Sequence, residues 1–300
     1  MPIGQQHFPV SITNTMTNAF WDGVREPGSD MVGLATVVGH NKKTFSILPF
    51  GGSGLMTQKQ ASINDAEELE ASEGYEAEIT VYEYHNQLPY DGITWSTMGE
   101  AMQAMQFTGA GSSVQETLSY ICDAFLANAW TTSLTGDGKA AVADDHLRRD
   151  GGTADNKLGA VALTGDNVWA AVAMQKNLPT DRGLKSRMRS MYLVTNTAQH
   201  KKAWEAVGPI APGATANNVV FEKTKITPVI NDEFGDGYWM LTAGPSLGGM
   251  VLVRVAMFQG QAVAVLLVHD PINNKYTIVM HMAVGIGLGS YRWLLGATTT

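Results

Sequence analysis

Apolar residues recur along this chain at two spacings, and each spacing marks a different element. From Ser96 to Trp130 the period is three to four: Met98, Ala101, Met102 and Met105, then Val114, Leu118, Ile121, Cys122, Phe125 and Leu126. Such a stripe is one face of a helix. Thr97 with Glu100, and Ser113 with Glu116, each match the reciprocal capping box that opens a helix. Gly109-Ala110-Gly111 therefore marks either a kink or a true break. An unbroken helix over the whole stretch would be roughly 50 Å long, a mechanical rod rather than one layer of a compact enzyme.

Tyr75 to Tyr84 alternates with period two, which predicts a strand with one polar face. It belongs to an unusual stretch, 51–92. GGSG at 51–54 has the composition of a hinge. Asp65, Glu67, Glu68, Glu70, Glu73, Glu76, Glu78 and Glu83 follow with no Lys or Arg among them. An acidic hairpin of this kind either has a solvated face or is an arm that reaches a basic partner. The basic run Lys176, Arg182, Lys185, Arg187, Arg189, Lys201 and Lys202 supplies that partner, in the same chain or in another copy.

Residues 1–50 read as extended, with four scattered prolines and short strands at 36–38 and 45–48. Phe20 and Trp21 form an aromatic pair in a polar stretch, either ordinary packing or the anchor of an arm that grips a second subunit. Residues 135–159, rich in Gly and Asp, read as loop. Helices are expected over 163–178, capped at Thr164 or Asp166, and over 197–207, stopped by Gly208-Pro209. Strands are expected at 191–194, 219–230, 238–241, 250–258, 262–269 and 276–284, with Asn273-Asn274 as a tight turn. Strands, long helix, helices and strands again is an α+β order.

Charged residues are 16% of the chain, below the ~25% of ordinary soluble domains. Such a surface suits a protein that hides its exterior against neighbours. The net charge of −8 argues against a basic nucleic-acid-reading face, though an acidic inner wall is compatible with enclosing DNA. The single cysteine, Cys122, lies on the apolar stripe and reads as a small buried hydrophobe. No signal peptide is expected from residues 1–15, and no segment makes a ~20-residue membrane span.

Candidate chemistry is thin. Gly244-Pro245-Ser246-Leu247-Gly248 matches G-x-S-x-G, with Asp270 and His281 in hydrolase order. The motif needs a strand turning into a helix, and here the following residues read as strand. Asp144-Asp145-His146 is a weak metal candidate, because adjacent loop residues rarely converge on one ion. Met98, Met102 and Met105 read as core or interface filler. No cofactor, no metal and no catalytic residue is assigned.

Several stretches, in matching order, resemble the major head (capsid) proteins of tailed phages, specifically the Mu-type major head subunit family. They are Ala19 to Gly23 with Ala35 to Val38; Tyr75 to Tyr84 running into the long helix; and Phe125 to Trp130 followed by Asp137-Gly138-Lys139, His146, Gly151-Gly152-Thr153 and Asn156. Leu184 to Val194 and the tail from Lys275 to Gly296 complete the set. The acidic segment 65–73 and the glycines at 109–111 depart from the family pattern.

The resemblance implies the HK97 capsid fold: an N-terminal arm (1–50, with the start of the peripheral domain), an extended hairpin or E-loop (51–92), a peripheral domain with a spine helix (93–160), an axial domain (161–284) and a C-terminal return segment (285–300). It implies a shell around double-stranded DNA, bound without sequence specificity. Copies of the chain in hexamers and pentamers would be its partners, with scaffold, portal, a maturation protease and decoration proteins. Its place would be the virion, assembled in the host cytoplasm. Expected inter-subunit residues are Phe20 and Trp21 on the arm, and Glu67, Glu68, Glu70 and Glu73 facing Arg182, Lys185, Arg187 and Arg189. The alternatives are an encapsulin-like nanocompartment shell and a Ser246 hydrolase.

Overall fold

The structure is a computed structural model that describes residues 8–10, 12–26, 28–48, 50–52, 72–208, 224–245, 249–256 and 261–299. The chain opens with strand β1 (Phe8–Val10), helices α1 (Asn14–Val24) and α2 (Asp30–Leu34), and β2 (Thr36–His40). A two-stranded ribbon leaves along β3 (Thr44–Ile47) and β4 (Phe50–Gly52) and returns along β5 (Ser72–Glu73) and β6 (Ala77–Thr80). Then come β7 (Tyr82–Asp91), α3 (Gly92–Thr97), the long α4 (Glu100–Ala127), and a small hairpin of β8 (His146–Leu147) and β9 (Thr153–Ala154). After β10 (Lys157–Ala160) follow α5 (Gly165–Asn177), β11 (Ser190–Thr195), α6 (His200–Val207), β12 (Thr227–Ile230) and β13 (Tyr238–Ala243). The chain closes with β14 (Met250–Val255), β15 (Val263–Asp270), β16 (Lys275–Leu288) and β17 (Leu294–Thr298).

Two sheets organise these elements. One has the order β1-β15-β16-β14-β2, with β7 also paired to β16 over ten positions. The other has the order β10-β17-β13-β11-β12. Alternation along β16 sets the layers: Ile278, Met280, Met282 and Val284 are buried in the main core with Phe107, Val114, Leu118 and Leu126 of α4. Ala283 points the other way and packs, with Val251, Val253 and Val255, under Ile47, Ile79 and Val81 at the root of the ribbon. Leucine, valine and tryptophan from α5, α6, β11, β13 and β17 form a separate core beside the second sheet.

The period-3.6 stripe does form one helix, and its glycines do not interrupt it. α4 runs 28 residues, about 42 Å at 1.5 Å per residue. Gly111 is where α1 crosses it: a Cβ there would overlap the Phe20 carbonyl oxygen, and one on Gly23 of α1 would overlap the Thr108 carbonyl oxygen. The two glycines let the backbones touch, and the contact buries Phe20 completely. Neither expected capping box forms. Gly99 is the N-cap and offers no side chain, while the Thr97 hydroxyl donates back to Ile93 and Thr94 at the end of α3. Ser113 lies inside the helix.

Among the described residues before 50, Asn14–Val24 and Asp30–Leu34 are helical, where the prolines suggested an extended arm. Thr13 caps α1 by accepting the Met16 N–H (3.3 Å), and Met16, Phe20 and Gly23 bury one helical face against α4. Even β1 pairs with the chain's own β15. The expected boundary at 284 is also corrected. β14, β15 and β16 join the sheet beside α4, whereas β17 closes the second sheet between β10 and β13. The helices over 163–178 and 197–207 appear as α5 and α6, the latter preceded by a 3₁₀ turn at Thr197–Gln199. Thr164 is the α5 cap, accepting from the Asn167 N–H.

Candidate inter-subunit surfaces

The ribbon has two unlike faces, as period-two alternation requires. Ala77, Ile79 and Val81 are buried, while Glu76 and Glu78 are exposed and Tyr82 is 60% exposed. The acidic face therefore points away from the body. Glu73 lies on β5, opposite Phe50. Glu67, Glu68 and Glu70 lie outside the described residues.

The ribbon is rooted on a polar hub in which an exposed Arg149 leads to a buried ion pair. Arg149 sits over the Tyr75 ring at 4.1 Å and donates to the Gly74 carbonyl at 3.3 Å. The Arg149 backbone N–H donates to Asp181, whose other oxygen accepts from Arg292 at 2.7 Å. Arg292 also donates to the Pro179 carbonyl (2.9 Å). Both members of this ion pair are buried, Asp181 at 4% exposure and Arg292 at 7%. One network thus joins the ribbon, the loop after α5 and the segment entering β17.

Next to it lies His146, fully buried and stacked on Tyr291 at 4.1 Å. Its Nδ1 is 2.9 Å from Asp137 and its Nε2 is 3.2 Å from Asn156 Oδ1. The Asn156 amide nitrogen donates to the carbonyls of Ala141, Tyr291 and Leu294, which fixes its orientation. Burial works against ionisation of Asp137. Hydrogen bonds from His146, Thr135 and the Leu147 N–H, with the pull of the His146 charge, outweigh it and hold the carboxyl at about 2. Both ring nitrogens of His146 are engaged here and Asp145 pairs with Lys139, so Asp144-Asp145-His146 does not converge on an ion.

The basic run lies on the loop between α5 and β11. Arg182, Lys185, Arg187 and Arg189 are all exposed. The loop is held by Ser186 N–H to Leu178 O (2.8 Å) and Arg187 N–H to Lys176 O (3.2 Å). Arg187 takes a left-handed φ of 55°, a conformation that costs a non-glycine residue on the order of 1 kcal/mol. Among the described residues, the ion pairs leave Lys185, Arg187 and Arg189 without a carboxylate.

Of the arm pair, Phe20 is in the core of its own chain and cannot also grip a neighbour; Trp21, edge-on to it at 5.4 Å, keeps part of its surface. Ser246 lies outside the described residues. Asp270 accepts from the Ile272 and Asn273 N–H groups in the β15–β16 turn, and pairs in register with Lys275. His281 is six ladder positions further along, roughly 20 Å away, so Asp270 cannot orient it as a triad requires. Sequence reading missed the hub. Asp137 and Asn156 entered only as points of resemblance, His146 as that and as a weak metal candidate, and nothing in the spacing of Asp181 and Arg292 shows that they pair.

No helix among the described residues is long and apolar enough to cross a membrane. No family model matches the chain, and no curated protein does. Solved structures do match. The capsid of the cyanophage P-SCSP1u aligns with a TM-score of 0.57 at 13% identity, over 91% of this chain and 88% of that one. A virus-like particle from Pyrococcus furiosus gives 0.56 at 12% identity, over 96% and 100%. The SrpI encapsulin complex from Synechococcus elongatus gives 0.54 at 8%, over 99% and 92%. With this topology and these neighbours, the chain has an HK97-like α+β capsid fold.

Proposed function

We propose that this protein is the major capsid subunit of a tailed phage, of the Mu-type head family, and that its copies assemble into an icosahedral shell around double-stranded DNA. The observation that carries the reading is the pairing of unmet charge with a rigid mount. An acidic ribbon face stands away from the body on a polar hub, and the same chain exposes Lys185, Arg187 and Arg189 with no ion pair among the described residues. Each such contact is weak, and a closed shell multiplies it.

In this reading the ribbon is the E-loop and α4 is the spine helix. The second sheet with α5 and α6 is the axial domain, and the sheet beside α4 is peripheral. Glu67, Glu68, Glu70 and Glu73 of one subunit meet Arg182, Lys185, Arg187 and Arg189 of the next, and Trp21 contributes from the exposed side of α1. Its place is the virion, assembled in the host cytoplasm. Scaffold, portal, protease and decoration proteins are the partners that the family resemblance supplies.

The alignment with an encapsulin supports a second reading, a nanocompartment shell with protein cargo. Electron microscopy of the purified protein tests both: closed shells or tubes are expected, and their contents, DNA or protein, separate the two. Monodisperse single subunits at every concentration would overturn both.

A further inference from the structure

A second buried carboxylate has the opposite surroundings to those of the hub. Asp123, near the C-terminal end of α4, is 6% exposed. Among the described residues its side chain has one hydrogen-bond partner, the Ser29 hydroxyl at 2.5 Å, just before α2. The groups acting on it electrostatically from neighbouring elements are Asp30 of α2, and Asp232 and Glu233 in the turn after β12. No cation is among them. On its own helix, the Cys122 thiol is pushed up to about 12 by burial and by Asp123 itself, and so stays neutral. Arg254 of β14 acts on that thiol.

Three elements from both parts of the molecule are tied together at this point. Asn231 donates to the Asp123 backbone carbonyl (3.0 Å), the Ile230 N–H reaches Asp30 (3.5 Å), and Thr197, ahead of α6, donates to Asp232 (2.9 Å). The seam is therefore the place where the second sheet is fastened to α2 and α4. Its four carboxylates repel one another, and a proton on Asp123 removes that residue's share of the repulsion while adding a donor.

We propose that this seam is a proton-operated latch: protonation of Asp123 tightens the hold of α2 and the β12 turn on α4, and its loss loosens the second sheet against the long helix. Burial, the first cause, and the neighbouring carboxylates raise the Asp123 carboxyl to about 6, while the Ser29 hydrogen bond lowers it. The latch thus changes state within the physiological range. It does not require assembly, so its failure leaves the shell reading intact, and the reverse.

The test is amide exchange on the full chain between pH 4 and pH 8, corrected for intrinsic exchange chemistry and read over 28–34 and 227–233. Protection in both segments should rise together as pH falls through about 6, by on the order of a hundredfold at most. Asp123→Asn should hold protection at the low-pH level throughout. Asp232→Asn, which removes one repelling neighbour, should move the transition to lower pH. The proposal is overturned if Asp123→Asn keeps the wild-type pH response, or if wild-type protection in these segments does not change with pH. If Asp123→Asn does not fold, the wild-type and Asp232→Asn profiles decide it.

Discussion

Asp137 and Asp123 are both buried aspartates on the same chain, and their carboxyls are held at about 2 and about 6. Burial alone would raise both. What separates them is the company each keeps. Asp137 accepts from an imidazole, a hydroxyl and backbone N–H groups, whereas Asp123 has one hydroxyl and faces three further carboxylates. The hub is thus a fixed mount and the seam an adjustable one. In the shell proposed above, a subunit that holds its ribbon rigidly yet is set at an angle to its neighbours has use for both.

The largest effect should come from breaking the hub's ion pair. Asp181→Ala leaves the Arg292 guanidinium buried and unpaired, and losses of this kind run to about 3–5 kcal/mol. Urea unfolding should show the midpoint falling sharply, with Arg292→Met in the same background restoring part of it. A midpoint within error of wild type would mean the pair is solvated and the mount is not fixed.

The two aspartates also predict a stability curve with a maximum. Asp137 is depressed, so its contribution is present above the ordinary carboxylate range and lost as pH falls from about 4 to about 2. That contribution is about 2 kcal/mol. Asp123 is raised, so its contribution is complete below about 4 and lost as pH rises through about 6. Unfolding free energy should therefore peak near pH 4. Asp137→Asn should flatten the acid limb only, and an acid limb unchanged in that variant would refute the assignment.

Two glycines of α4 sharpen the same contrast between fixed and free positions. Gly111→Ala puts a methyl into the Phe20 carbonyl and should cost about 1–3 kcal/mol. Gly109→Ala meets nothing within 4 Å and should stabilise α4 by about 0.5–1 kcal/mol. Thermal midpoints that move in the same direction for both would show that the helix crossing is not the reason for Gly111.

These positions also mark what was legible in the sequence. Period located α4 and most strands, because one buried face forces one spacing, and cap and stop residues located α5 and α6. It could not tell a glycine that breaks a helix from one that lets another backbone touch it, since the difference lies in α1, ninety residues away. The same blindness made Phe20 an arm anchor. Its helix is short and set among Thr and Asn, and its burial depends on a groove the local sequence does not contain. The hub was invisible for a related reason. Asp181 and Arg292 are separated by 111 residues, and each alone is an ordinary surface type. The exposed basic loop was legible, because local charge density needs no tertiary information.

That loop carries the smallest effect per contact and the most direct test of the hub as a mount. An exposed ion pair contributes only about 0.2–1 kcal/mol, so reversing Lys185, Arg187 and Arg189 to Glu should leave subunit stability almost unchanged. Its effect should appear where contacts are multiplied. Assembly at low salt should fail in the triple variant, and wild-type shells should weaken as salt rises, because exposed charges are screened over a Debye length of ~8 Å at physiological ionic strength. Rescue is the decisive arm. Reversing Glu67, Glu68, Glu70 and Glu73 to Lys in the same chain should restore assembly, since every ribbon then again meets the opposite charge. Rescue requires the ribbon to arrive at its old place on the neighbour, and only a rigid root gives it that. If the charge-swapped chain stays dispersed while each unfolding midpoint matches wild type, the acidic face and the basic loop do not meet, and the loop's partner lies elsewhere.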